Sequence, residues 1–135
     1  MKTKVFLLLS IAFLLSSSVF GRDPLEGTKW KLTGWTISSI DPKDVNITLN
    51  FSGGKVSGSG GVNSYSGPCE TKPDGSFIAG EISFTLIAGP EPAMRAEAAY
   101  FKLLGDARFF KIKGDMLTLY DGMGNEMMSF EIVKV

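Results

Sequence analysis

From residue 28 onward, the chain repeats one local pattern: short segments that alternate apolar and polar residues, separated by clusters of turn-forming residues. Alternation with a period of two places successive side chains on opposite faces, which is typical of half-buried β-strands. In one segment Ile47, Leu49 and Phe51 share a face. Eight strands are predicted in this way, at residues 28–35, 46–51, 55–60, 76–79, 82–87, 108–113, 116–120 and 126–133.

One segment, residues 93–104, has the composition and periodicity of a helix instead. Proline precedes it, where the first helical turn tolerates a missing N–H, and strong helix formers fill it. Its predicted core-facing stripe consists of Met94, Ala98, Phe101 and Leu104. Arg95, Glu97 and Lys102 are placed off that stripe, and Gly105 is predicted as the C-cap.

Together these elements predict a β-rich α+β fold: a curved antiparallel sheet or cracked barrel of about eight strands with one helix packed on it. The helix falls between the fifth and sixth predicted strands and would cover one opening. Ser52, Gly53 and Gly54 predict a tight hairpin that makes the second and third strands antiparallel neighbours, because glycine readily adopts positive φ.

A glycine- and serine-rich stretch at residues 58–68 could be mistaken for a phosphate-binding loop. It lacks the Lys-Ser/Thr ending of a P-loop and the spacing of a dinucleotide fingerprint. We therefore predict that a strand leaves through bulges into an ordered loop here.

The first 21 residues have the pattern of a secretory signal peptide. Lys2 and Lys4 precede an apolar run at residues 5–15, and Gly21 provides a small residue before a cleavage site at Arg22. The alternatives are a membrane anchor, for which the apolar run is short, and a misread core segment. We expect an exported protein, periplasmic or secreted, whose single domain spans residues 22–135. It would not be lipidated, because no cysteine follows the cut.

Removing the signal leaves 14 − 2 = 12 basic residues against 14 acidic ones, a net charge of −2. This balance favours neither nucleic acid nor an anionic membrane surface as a partner, and we expect no stable membrane insertion after cleavage. The lone cysteine, Cys69, cannot form an internal disulfide, and it is predicted as an incidental loop thiol.

The composition argues against catalysis, because the chain has no histidine. Catalytic triads that require histidine are excluded, and no pair of carboxylates can be placed in a cleft from the sequence. We expect no enzyme activity, no cofactor and no metal site. Asn63 and Tyr65 are the candidate binding residues. The alternative is that Asn63 satisfies loop backbone while Tyr65 packs its ring and keeps its hydroxyl at the rim.

The chain resembles the META domain family, which includes the heat-shock protein HslJ-like group. The matching segments are residues 25–32, 47–51, 58–67, 90–94 leading to Glu97, and 114–119. The resemblance implies a curved antiparallel sheet with one helix. It also implies a small exported or lipid-anchored envelope protein linked to stress, antibiotic tolerance or motility, without an assigned biochemical role.

Many relatives carry cysteine where this chain has Val62, and another near Gly89. If those cysteines pair in relatives, Val62 and Gly89 should lie close together, within the roughly 7 Å that a disulfide spans between Cα atoms. The absence of both cysteines argues against a redox role carried over from relatives.

Two functions remain open, and we expect a monomer in either case. The protein could present a surface to another envelope protein, or its barrel could carry a small apolar ligand. An internal apolar cavity of roughly several hundred Å³ would favour the carrier function. A solid core with an exposed apolar patch would favour partner binding.

Overall fold

The computed structural model describes residues 23–37 and 39–134. The predicted signal peptide, residues 1–21, lies outside the described residues. Nine strands and one α-helix follow in the order β1 (Lys29–Trp35), β2 (Thr48–Ser52), β3 (Lys55–Ser59), β4 (Ser64–Thr71), β5 (Phe77–Ala79), β6 (Ser83–Phe84), α1 (Glu91–Asp106), β7 (Ala107–Lys113), β8 (Met116–Asp121) and β9 (Glu126–Ile132). A short 3-10 helix, Pro42–Asp44, lies between β1 and β2.

The strands form one curved antiparallel sheet that nearly closes on itself. Its order is β5-β4-β3-β2-β1-β9-β8-β7, and β6 pairs beside β5 on the same edge of β4. A bridge between Ser76 and Phe109 joins the two ends of this path. The Phe110 N–H also donates to the Gly75 carbonyl at 2.8 Å. The predicted fold class, a cracked barrel with one helix, is therefore confirmed.

The barrel interior is filled by the inward side chains of the alternating strands. Trp30 lies opposite Leu49, and Leu32 lies opposite Phe130, and all four are almost completely buried. Fully burying a large apolar side chain stabilises a fold by about 1.5–3 kcal/mol, so these inward side chains favour a sheet that curves around them. The predicted hairpin at Gly53 and Gly54 is also confirmed, with φ of +61° and +75°.

The helix is where it was predicted, but only part of its predicted core-facing stripe is buried: Leu104 is buried, and Phe101 packs partly buried against the core. Its buried residues are Ala96, Glu97, Tyr100 and Leu104. Ala98, predicted to face the core, is exposed, and Met94 is only partly buried. The prediction was wrong for Met94, Ala98 and Glu97, because it excluded a charged side chain from the core, whereas Glu97 is buried with hydrogen-bond partners. The helix also continues past Gly105 to Asp106 and ends at Ala107 in extended backbone, so Gly105 is not its cap.

The predicted loop at residues 58–68 was partly wrong, because β4 begins inside it at Ser64. Tyr65 and Cys69 point inward from this strand and are buried. Gly67 weakens the strand pattern in the sequence, yet the position needs glycine: a Cβ there would lie 2.7 Å from the Glu81 carbonyl oxygen. The helix consequently follows the sixth strand, not the fifth.

Cys69 is a buried strand residue and not a loop thiol, which gives a direct prediction. Burial, with a smaller contribution from the charge of Asp23, raises the pKa of its thiol to about 12. Because the thiolate is the reactive form, and raising the pKa from 9.0 to about 12 lowers its fraction at pH 8 by about 1,000-fold, we expect alkylation to be about 1,000-fold slower in the folded protein than in urea. Timed iodoacetamide labelling followed by mass spectrometry measures this ratio. Equal rates in the two states would contradict the placement of Cys69.

Candidate functional site

The Asn63 side chain connects three separate parts of the fold. Its Nδ2 donates to Glu97 Oε1 at 2.6 Å and to the Ile87 carbonyl at 3.2 Å. Its Oδ1 accepts from the Ile87 N–H at 2.7 Å and from Thr85 Oγ1 at 2.8 Å. An amide offers two donor hydrogens and two acceptor positions, so all four are used. Asn63 thus ties the β3–β4 connection to α1 and to the chain after β6.

Glu97 is the central acceptor of this arrangement. Its Oε2 accepts the backbone N–H groups of Val62 at 2.9 Å and Asn63 at 2.6 Å. The residue is only 4% exposed. Among the residues that the structure describes, no lysine or arginine forms an ion pair with it. Three N–H donors therefore take the place of a cation in compensating the buried carboxyl group.

The glycines before Asn63 allow this close approach. A Cβ at Gly60 would lie 2.9 Å from Glu97 Oε2 and 2.8 Å from Phe101 Cζ. Gly61 adopts φ of +116°, a backbone conformation that residues other than glycine rarely adopt. The backbone of residues 60–63 thus approaches α1 closely enough for two of its N–H groups to bind the Glu97 carboxylate.

Tyr65 and Tyr100 form a second buried contact directly beside this network. Their hydroxyl oxygens are 2.5 Å apart, and Tyr65 Oη donates to the Thr48 carbonyl at 2.7 Å. The Tyr65 ring also packs edge-on against Phe101, with ring centroids 5.4 Å apart. The hydroxyl of Tyr65 is thus inside the barrel, bonded to β2 and α1.

This tyrosine pair predicts a loss of stability at alkaline pH. Burial raises the pKa of both hydroxyls above the ordinary value of 10.0. A raised folded-state pKa favours the neutral form, so the stabilisation is complete below pH 10.0 and is lost as the pH rises beyond it. We expect the free energy of unfolding to fall by up to about 1.4 kcal/mol per pH unit for each group. Urea unfolding from pH 8 to 11 measures this.

The control for that prediction is a protein in which Tyr65 and Tyr100 are both replaced by phenylalanine. It should lose the part of the pH dependence that begins near pH 10.0. An identical decline in the wild type and the double variant would mean that other groups cause it.

The chain after Ser83 presents an apolar surface to solvent. We call residues 83–87 the edge segment. Within it Leu86 is 89% exposed, and Phe84 and Ile87 are also exposed. Two contacts fix its position, because Asn63 binds both the N–H and the carbonyl of Ile87, and Phe84 stacks on Phe101 with ring centroids 4.9 Å apart.

The structure brings the two predicted site residues, Asn63 and Tyr65, to the same region of the barrel. Both are buried, at 2% and 4% exposure, and their polar atoms bond within the chain. A binding role for them stays a prediction, and direct contact would require those bonds to open. What the sequence interpretation missed was Glu97 and the edge segment. The absence of charged residues from 82–89 could have indicated the exposed edge segment.

The proximity of Val62 and Gly89 is confirmed. A Cβ placed on Gly89 would lie 3.4 Å from the Val62 Cβ. Disulfides hold their two Cβ atoms about 3.5–4.5 Å apart, so this pair lies at the short end of the spacing that a disulfide needs.

Several open clefts lie on the surface. One of about 310 Å³ lies along the paired strands β4 and β6 and is lined by Ser64, Tyr65, Ser66, Ser83, Phe84 and Thr85. A larger one of about 580 Å³ lies across the barrel seam, lined by Asp74 and Gly75 of the β4–β5 connection and by Phe110 and Lys111 of β7. Within residues 23–37 and 39–134, no three cysteine or acidic side chains are grouped to hold a metal ion. No helix in the described part of the chain is long and apolar enough to span a membrane.

Comparison with known proteins addresses the family directly. The META domain model matches residues 23–134, which include every strand and the helix. The chain belongs to the META domain family. The resemblance predicted from the sequence segments is thereby confirmed. No curated protein matches the chain.

Solved structures share the fold of this META domain. A protein from Burkholderia xenovorans, solved by NMR, is 25% identical with a TM-score of 0.66, and the match covers 82% of this chain and 85% of that one. A DUF4847 family protein from Bacteroides vulgatus, solved by crystallography, is 13% identical with a TM-score of 0.56. That match covers 80% of this chain and 94% of the other, and it shows the fold only.

Proposed function

We propose that this META domain is an exported, non-enzymatic envelope protein, related to stress, that acts by presenting a surface to another protein. The export part rests on the N-terminal sequence pattern, and the stress role rests on the family resemblance. The binding part rests on the edge segment.

The observation that carries the binding proposal is the exposure of apolar side chains on rigidly held backbone. Leu86 is 89% exposed, yet the adjacent Ile87 is fixed through both backbone polar groups by Asn63. Contiguous exposed apolar surface on a soluble protein often marks an interaction site. A preordered segment also loses less conformational entropy when a partner binds.

The carrier alternative has less support from the barrel interior. Trp30, Phe77 and Tyr100 are among the large side chains that fill it. A ligand of drug size needs a cavity of about 300–1,000 Å³ that buries most of its surface. The clefts described above are open to solvent and lie outside the core.

Affinity capture tests the binding proposal, with a matched pair of variants. Leu86→Asp places a charge on the edge segment, and Met123→Asp places one at an equally exposed position, 89%, in the β8–β9 turn. A protein partner from envelope extract should be captured by the wild type and by Met123→Asp but lost with Leu86→Asp. Co-purifying lipid without a protein, or equal capture by both variants, would contradict the proposal.

Export has a separate test. Expression of the full chain followed by cell fractionation and N-terminal sequencing should give a protein that begins at Arg22 outside the cytoplasm. Retention of the intact chain in the cytoplasm would overturn this part.

A further inference from the structure

The edge segment carries backbone hydrogen-bonding groups that face away from the barrel. The Thr85 N–H donates to the Ser64 carbonyl, and Ser83 pairs with Ser66, so these residues direct their polar groups toward β4. In an antiparallel strand the residues between them direct theirs to the other side. The N–H and carbonyl groups of Phe84 and Leu86 therefore point outward. Among the described residues, β6 pairs with no strand besides β4, and the Leu86 N–H and carbonyl have no backbone partner.

Apart from the shortness of β6, which has two residues, this edge lacks the features that usually protect a strand edge from pairing. Natural edge strands carry lysine, proline or inward-pointing charges that discourage added strands. Residues 82–89 contain no charged residue and no proline, and Leu86 and Ile87 lie open on the two sides of the segment. The edge thus offers both backbone pairing and apolar side-chain contact.

The ends of the charge-free run are acidic. Glu81 precedes it and Glu91 follows it, and both are exposed. Neither glutamate takes part in a salt bridge among the described residues. A partner strand that carries basic residues at its ends would match this distribution of charge.

We propose that the partner contributes an extended apolar segment with basic residues at its ends, which pairs with the free side of β6 as an added strand. This inference rests on the proposed partner-binding function and names the form of the partner. Backbone hydrogen bonds at Phe84 and Leu86 supply affinity, and the exposed apolar side chains supply specificity. The open groove along β4 and β6 borders the same edge.

A second copy of the chain fits this edge less well. In two-fold antiparallel pairing, Phe84 of one copy would lie opposite Leu86 of the other, and Glu81 would lie opposite Gly89. Glu91 of the second copy would then be two residues away from Glu81, at both ends of the paired segment. Like charges at that spacing oppose association.

Titration with designed peptides tests the inference without knowing the natural partner. The probe is a capped peptide of alternating threonine and valine with lysine at both ends, followed by amide NMR of the mature protein. It should shift the Phe84 and Leu86 amide signals with a Kd of about 1 mM or tighter. A copy N-methylated on the pairing amides should bind at least about tenfold more weakly, as should a copy with glutamate ends at low salt.

A pair of variants separates backbone pairing from side-chain contact. Leu86→Pro removes the outward N–H, and Leu86→Ala keeps it. Proline should weaken peptide binding by about tenfold more than alanine does, with both variants as stable as the wild type. If proline unfolds the protein, the N-methylated peptide gives the same answer on the wild type.

Each other outcome overturns the inference. These outcomes are no shift at millimolar peptide, shifts confined to other strands, equal binding of the N-methylated peptide, or concentration-dependent dimers that pair through the edge segment. A partner captured in a Leu86-dependent manner alongside such a result would leave the proposed function standing and remove only the strand-addition mode. Failure of the capture experiment itself would remove the function.

Discussion

Replacing Glu97 with glutamine is expected to lower the free energy of unfolding by about 3 kcal/mol. The glutamine carbonyl can still accept from the N–H groups of Val62 and Asn63, but its NH₂ group then faces Asn63 Nδ2, which lies 2.6 Å from the native oxygen. Turning the Asn63 amide would only move the conflict to the Ile87 N–H. Every arrangement leaves two buried donors against each other, and a buried unsatisfied group is costly.

The matched control is Glu131→Gln, the same change at an exposed position on β9. It should alter the free energy of unfolding by no more than about 0.5 kcal/mol. The double variant Asn63→Asp with Glu97→Gln exchanges donor and acceptor across the same contact and should recover part of the loss. Urea unfolding of the variants measures these values. If Glu97→Gln and Glu131→Gln changed the free energy of unfolding by equally small amounts, the buried Glu97 carboxylate would not be important for stability.

Introducing cysteine at both Val62 and Gly89 is expected to stabilise the protein by about 3 kcal/mol when oxidised. The two Cβ positions are 3.4 Å apart, and Gly89 has ordinary backbone φ, so cysteine fits there without strain from a left-handed conformation. The cross-link closes the chain across β4, β5 and β6, which restricts the unfolded state. Burial and the raised pKa of Cys69, about 12, keep that thiol from competing for the new partners.

Each cysteine alone provides the control for the disulfide. Gly89→Cys by itself brings its Cβ within 2.9 Å of the Val62 methyl groups and should destabilise the protein by about 1–3 kcal/mol. The oxidised double variant should lose its gain on addition of reductant. A double variant that does not cross-link in air, or that is less stable when oxidised, would contradict the placement of these two residues.

The sheet could be predicted from the sequence because inward and outward positions alternate in strands such as β1 and β8. Leu117 and Leu119 on β8, and Trp30 and Leu32 on β1, show the period of two directly. The alternation is interrupted at a bulge in β9, where the consecutive residues Met127 and Met128 are both buried. β4 was hidden because Gly67 and Pro68, which usually mark turns, stand within it. Gly67 is needed because the β5–β6 connection passes close to it, and this tertiary contact has no local signature.

The candidate site could be predicted only in part, for a related reason. Asn63 and Tyr65 stood out because they lie in a distinctive glycine-rich run. Glu97 belongs to the same network but lies 34 residues further along the chain, and a charged residue inside a helix is ordinarily assigned to solvent. The exposure of Leu86 depends on where the barrel seam falls, which alternation alone does not determine.

Native-state hydrogen exchange of three backbone amides, those of Val62, Asn63 and Ile87, tests most directly whether the Asn63–Glu97 network holds the loop, the helix and the edge segment together. Val62 and Asn63 donate to Glu97, and Ile87 donates to Asn63, although Ile87 lies outside any regular strand. The account predicts that all three exchange nearly as slowly as the Leu119 amide in the barrel core, because they open only with the global fold. Exchange as fast as that of the exposed Gly53 hairpin would contradict it.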